Sequence, residues 1–324
     1  MLSIIRLIFR NDLVAGCFFI LISYLPFLFP RTSSGLGALV IGASFYLGGL
    51  LIGNYITVKL GGFSLISRIR GSERNNRNFI TICLIFGALF AFIASDMGGL
   101  WYFPYWSTTT YWVIGYILAG WAFYLLFLIV CYEAMKLILD RLLPQRKRVI
   151  SYFKYEGHLY KALLLISIFC LSTVSIMALK NTSFFTNFHY SINTPKEPYL
   201  QWYYWLIAFV GVFFACEYIE YRRKRSSLIK DTLHGYLNPL LAIIIVGVLV
   251  GVANEIQNFN VFLWKYANYP LPNLKLFNVP AFIVLGWPIQ IIAVVVFWRA
   301  FGNGSSSVVF ANSLSKKKQR KSGI

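Results

Sequence analysis

Two acidic residues stand where acids are costly. Asp96, in SDMGGLWYFPYW (95–106), and Glu255, in NEIQNFNVFLWKYANYP (254–270), each close a long apolar run. Each is followed by a Trp, a Tyr and a Pro in that order: Trp101, Tyr102 and Pro104 after the first, Trp264, Tyr266 and Pro270 after the second. Carboxyl groups at the edge of a hydrocarbon layer are partnered or functional. Two of them sharing a low-dielectric site would retain a proton. A protonated carboxyl facing an apolar chain is what protonation of a carbon–carbon double bond requires. The alternative is that both acids are simply hydrated at the headgroup level. Asp96 and Glu255 are therefore the candidate catalytic residues. Trp101, Tyr102, Trp264, Tyr266 and Trp287 are candidate substrate-binding residues, because π faces stabilise a nearby cation. Asn254 and Asn258 join them by flanking Glu255.

The elements that must position these groups are transmembrane helices. Of the 324 residues 58% are hydrophobic and only 13% charged, against about 25% charged in soluble domains. The mean hydropathy is +0.65. Crossing a bilayer takes about 20 apolar residues, and eight such spans are expected, near 13–30, 36–58, 79–98, 111–135, 162–180, 202–221, 236–255 and 280–301. With the N-terminus placed in the cytoplasm, all but five of the 30 Lys and Arg residues fall on the inner side. The exceptions are Arg31, Lys180, Lys196, Lys265 and Lys275. This distribution obeys the positive-inside rule and puts both termini inside. The expected fold is an all-α, polytopic membrane helix bundle in a plasma (inner) membrane.

The formal charge of +19 is dispersed over short loops and carries no nucleic-acid-binding signature. It points instead to anionic headgroups at the inner surface. The five cysteines lie singly within apolar spans and the three histidines form no ligand cluster. Neither a metal nor a cofactor is expected, and no phosphate-binding or hydrolase motif appears.

The chain also repeats itself. Laying ILAGWAFYLLFLIVCYEA (117–134) on IVLGWPIQIIAVVVFWRA (283–300) matches Gly120 with Gly286 and Trp121 with Trp287. The acid–Trp–Tyr–Pro order ahead of each copy recurs as well. Two parallel four-helix repeats are expected, related by an axis along the membrane normal. They would span 1–140 and 162–301, joined by a basic, amphipathic connector (141–161) and followed by a flexible basic tail (302–324). A small residue in each Gly-Trp pair would permit close helix approach. Glu133 and Arg299, at matching positions, could pair across the axis. Glu217 and Glu220 could answer the adjacent RRKR at 222–225.

The stretch WKYANYPLPNLKLFNVPAFIVLGWPIQ (264–290) resembles the carotenoid-biosynthesis membrane proteins of the carotenoid 1,2-hydratase type, through Trp264, Tyr266, Phe277, Val279, Pro280 and Trp287 behind Glu255. Asp96, Gly99, Trp101 and Tyr102 are similar to a segment of the membrane-bound lycopene cyclase domains. Those domains carry paired glutamates after the proline that opens the next helix, whereas Pro280 is followed here by Ala281 and Phe282. The resemblance implies a helical membrane enzyme working on a polyene or isoprenoid chain by acid–base chemistry, of hydration or cyclisation type. Two other functions fit the same composition: a transporter of lipids or small molecules, and a non-catalytic assembly subunit. Spans almost bare of polar groups near the midplane disfavour a path for hydrophilic solutes.

Overall fold

The computed structural model describes residues 11–25, 35–62, 65–66, 73–90, 97–104, 122–144, 155–181, 193–195, 197–261, 264–276 and 279–301. Asp96, Gly120, Trp121, Phe277, residues 145–154 of the 141–161 connector, the 302–324 tail and part of the expected first, third and fourth spans lie outside the described residues.

The described chain is mostly helix. Its elements are α1 (Asp12–Tyr24), α2 (Gly35–Lys59), α3 (Glu73–Phe90), β1 (Trp101–Tyr102), α4 (Ala122–Leu142), α5 (Glu156–Lys180) and α6 (Trp202–Arg222). After these come α7 (Leu228–Leu233), α8 (Asn238–Val261), β2 (Lys265–Tyr266), β3 (Lys275–Leu276), β4 (Val279–Pro280) and α9 (Ala281–Phe301). Among the described residues five helices are long and apolar enough to cross a membrane, namely α2, α5, α6, α8 and α9. Two shorter apolar helical stretches accompany them, Asp12–Tyr24 and Arg77–Gly87. Apolar helices of this kind close all backbone hydrogen bonds within one segment, which is what a bilayer demands. The chain is accordingly a helical membrane protein.

α4 lies at the centre and touches α2, α3, α8 and α9. α9 in turn touches α3, α6 and α8. α1 packs on α2, and α5 packs on α6. The periphery is apolar, as lipid-facing surface should be: Leu165, Phe169 and Leu179 on α5 are all more than half exposed.

Small residues set the closest approaches. A Cβ on Gly48 of α2 would meet the Gly16 carbonyl of α1 at 2.8 Å, and one on Gly49 would meet the Phe127 ring of α4 at 2.2 Å. On α8, a Cβ on Gly247 would lie 2.6 Å from Cα of Pro288, and one on Gly251 would lie 2.6 Å from the indole of Trp287. Without a hydrophobic drive between helices in lipid, this close van der Waals packing is a main source of association. The expectation that Gly286 supplies the close approach beside Trp287 is corrected here. Gly286 faces open space, and the glycines that admit Trp287 and Pro288 belong to the neighbouring helix α8.

The end of the bundle to which the sequence assigns the cytoplasm holds a buried polar knot. The Arg299 side chain, 6% exposed, pairs with Glu220 at 3.1 Å and with Asp231 at 3.5 Å, and donates to the Ser226 carbonyl. Glu217 accepts the backbone N–H groups of Leu228 and Ile229, both at 3.0 Å, at the start of α7. Arg225 donates to the Arg299 carbonyl at 3.0 Å, and Arg223 donates to that of Ala300. The expected pairing of Arg299 with Glu133 gives way to Glu220 and Asp231. The reason is local: Glu220 lies on α6, which packs directly on α9, and the turn after α6 brings Asp231 of α7 to the same guanidinium. The Arg side chains of 222–225 do not answer Glu217 and Glu220 as expected; those of Arg223 and Arg225 cap the last carbonyls of α9.

Helix α5 begins at Glu156, several residues before the expected span. Tyr160 stacks on Tyr221 with ring centroids 4.2 Å apart, and its hydroxyl lies 2.5 Å from that of Ser227. These contacts carry the helix through residues that the sequence assigned to the connector.

Candidate functional site

The two loops that carry the repeated aromatic pattern meet. β1 and β2 pair antiparallel, Trp101 opposite Tyr266 and Tyr102 opposite Lys265. Gly99 has φ +55°, a left-handed conformation that glycine adopts without steric cost, and it turns the chain into β1. The Asn268 side chain donates to the Gly99 carbonyl at 2.9 Å, and Ala267 N–H donates to the Leu100 carbonyl at 2.9 Å. At the far side of the second loop, β3 and β4 form a short hairpin, Lys275 opposite Pro280, that leads directly into α9.

Glu255, in the last turns of α8, is the acid of the site. Its Oε1 accepts the Tyr266 hydroxyl and, at 3.2 Å, the Trp287 indole N–H. The Trp264 indole N–H donates to the Tyr266 hydroxyl oxygen at 2.6 Å. One chain of hydrogen bonds therefore links the residues 255, 264, 266 and 287 that the sequence singled out. Burial, with the Glu255 charge next in importance, pushes the Tyr266 and Tyr269 phenols well above their ordinary range, so both remain neutral.

These side chains wall an open-mouthed pocket of about 170 Å³. Tyr46 enters from α2, Tyr124 from α4, Trp205 from α6, and Trp101 and Phe103 from the first loop. Trp264, Tyr266 and Tyr269 come from the second loop, and Phe282, Ile283, Gly286, Trp287 and Gln290 from α9. The rings brace one another: Tyr46 and Tyr124 lie 5.1 Å apart, and Tyr266 and Tyr269 meet edge to face at 5.7 Å. Glu255 itself does not line the cavity. It sits behind Tyr266 and Trp287, so the surface that a ligand meets is aromatic.

The remaining sequence candidates divide. Tyr102 stands in β1 and is not part of the pocket wall. Asn258 is occupied with the backbone of Trp264: its Nδ2 donates to the Trp264 carbonyl and its Oδ1 accepts the Trp264 N–H, both at 3.0 Å. It thus fixes the loop on which Trp264 and Tyr266 ride. Asn254 is fully buried with neither amide atom hydrogen-bonded among the described residues. Asp96 lies outside the described residues, so its distance from Glu255 is not part of this geometry. Among the described residues, no group of three or more His, Cys, Asp and Glu is placed to hold a metal ion.

No protein-family model matches the chain, and no curated protein or solved structure is significantly similar to it.

The sequence passed over Tyr46, Phe103, Tyr124, Trp205, Tyr269, Phe282 and Gln290. Aromatic residues inside apolar helices are ordinary packing residues and carry no local mark. Gln290 had a signal, because it occupies the position matching Tyr124 when 117–134 is laid on 283–300. Both side chains line the pocket.

Proposed function

We propose that this protein is an integral membrane enzyme acting on a long apolar isoprenoid or carotenoid-like lipid by acid–base chemistry, with Glu255 as the proton source. The observation that carries the reading is the Glu255–Tyr266 hydrogen bond behind an aromatic cavity. When Glu255 takes up a proton the hydrogen bond reverses: its O–H donates to the Tyr266 oxygen, and the phenolic O–H turns to the pocket, where its proton moves to one carbon of a double bond as the Glu255 proton replaces it. The carboxylate remains, and positive charge develops on the adjacent carbon, facing the rings. The cation then gains water, or loses a proton from a neighbouring carbon back along the same path. Isoprenoid and polyene chains offer substituted double bonds that form tertiary or delocalised cations, the kind such a wall favours. The resemblance to the carotenoid-biosynthesis membrane proteins points the same way and rests on the residues quoted for it.

Further parts of this reading concern architecture and orientation. The chain has eight spans in two parallel repeats, with N- and C-termini in the cytoplasm and in a plasma (inner) membrane. The neighbour relations support the repeat. If α1 to α4 correspond to α5, α6, α8 and α9, then α1 on α2 matches α5 on α6, α2 on α4 matches α6 on α9, and α3 on α4 matches α8 on α9. Across the halves, α3 on α9 matches α8 on α4. The axis would run between α4 and α9 and between β1 and β2, through the pocket.

The test is lipid-extract profiling in a host loaded with lycopene and related acyclic polyenes. The wild-type chain should yield a new hydrated, isomerised or cyclised product, and Glu255→Gln should not. An unchanged profile with properly inserted wild-type protein would remove this substrate class.

A further inference from the structure

We propose that the aromatic pocket is a binding site for a quaternary ammonium group. Ten of the thirteen residues around the cavity are Phe, Tyr or Trp, and Ile283 is the one aliphatic side chain among them. A pocket shaped only for a neutral alkyl chain has no need of so many rings. Ring faces are electron-rich and attract cations, most strongly where water is excluded. The rings arrive from different helices, Tyr46 from α2, Trp205 from α6 and Trp287 from α9, so the cavity is enclosed by aromatic side chains from several directions.

The polar atoms of the wall sharpen the choice of cation. The Trp264 indole N–H is spent on Tyr266, and the Tyr266 hydroxyl and the Trp287 indole N–H are spent on Glu255. These three residues offer an anion no donor. A primary ammonium has three N–H donors to satisfy, and here the nearest carboxylate oxygen is already occupied and screened by the wall. A trimethylammonium group has no donor to satisfy, and its apolar surface carries the positive charge. Lys265 neighbours Tyr266 in the strand and is exposed, on the opposite face by strand alternation, so it does not contribute a competing charge to the cavity.

The inference requires no chemistry at Glu255. The group could reach the pocket as a choline-type lipid headgroup or as a free solute. Gly286 provides a direct handle, since it lines the pocket and a Cβ there meets nothing within 4 Å. A larger side chain at 286 would fill the cavity without displacing the protein around it.

The experiment is tryptophan fluorescence of the full chain in phosphatidylglycerol nanodiscs, titrated with choline or with its neutral carbon isostere, 3,3-dimethylbutan-1-ol. Choline should give a saturable response about tenfold or more tighter than the isostere, the scale of a desolvated cation–π site. Gly286→Leu should abolish the response with an unchanged melting temperature. Repeating the titration in phosphatidylcholine nanodiscs separates the sources: a lost response assigns the pocket to the lipid headgroup, and a retained one to the free solute. Equal binding of choline and isostere, no saturable response in phosphatidylglycerol, or a wild-type response from Gly286→Leu would overturn the proposal. Because no turnover is involved, a failed choline titration and a failed product assay are read independently.

Discussion

At the scale of single residues, the acid is separated from the cavity by the groups that hold it. Tyr266 donates its hydroxyl to Glu255 and lines the pocket, so in the proposed reaction it is the proton's last carrier. Tyr266→Phe removes the carrier and keeps the ring. It should lower turnover by about 10²–10⁴, the usual range for a positioned acid or base, while substrate binding changes little. Wild-type turnover in Tyr266→Phe would mean that the proton takes another route. Arg299 makes a different demand. It is buried against Glu220 and Asp231, and Arg299→Ala would leave two buried acids uncompensated. Removing one partner of such a set costs about 3–5 kcal/mol, so the melting temperature in nanodiscs should fall steeply, and a shift within a degree of wild type would show the knot to be dispensable. Glu255, Trp264, Tyr266 and Trp287 were legible in the sequence because an acid at the end of an apolar run is rare and aromatic–Tyr–Pro order beside it is distinctive. The partner of Arg299 was not. Glu220 meets Arg299 through the packing of α6 on α9, and Asp231 arrives by a turn; neither is encoded in a local pattern.

At the scale of elements, α8 and α9 are the pair that builds the site. Gly247 and Gly251, one turn apart on α8, leave room for Pro288 and Trp287 of α9, and that contact delivers the Trp287 indole to Glu255. Gly251→Val would drive a branched side chain into the indole. Overpacking of this kind costs about 1–3 kcal/mol, so both stability and the Trp287 fluorescence environment should change, whereas Gly286→Leu on the partner helix should leave stability intact. Equal melting temperatures for Gly251→Val and wild type would contradict the packing described. Among the described residues α2, α5, α6, α8 and α9 were readable from their apolar lengths, and the short α7 was not. The loops were not: β1 and β2 are two residues each, too short for a strand signal, and their pairing joins segments far apart in the chain. Their aromatic content marked them as important without saying that they would touch.

At the scale of the whole molecule, the pocket and the charged knot occupy opposite ends of α9, whose first residues line the former and whose last residues form the latter. In the proposed orientation the pocket opens at the outer leaflet and the knot lies at the cytoplasmic face. Single cysteines at position 273 or 322, in a background lacking the five native ones, test this. An impermeant maleimide should label Asn273→Cys in intact cells and Ser322→Cys only after lysis, and the reverse pattern would invert the molecule. The most direct measurement on the central claim is deuterium transfer. Purified wild-type protein, incubated in D₂O with a panel of acyclic polyene and isoprenoid lipids, should add deuterium to carbon in at least one of them by mass spectrometry, and Glu255→Gln should not. Folded wild-type protein that leaves every lipid in the panel unlabelled, or a Glu255→Gln variant that labels as fast as wild type, would contradict acid–base chemistry at this site.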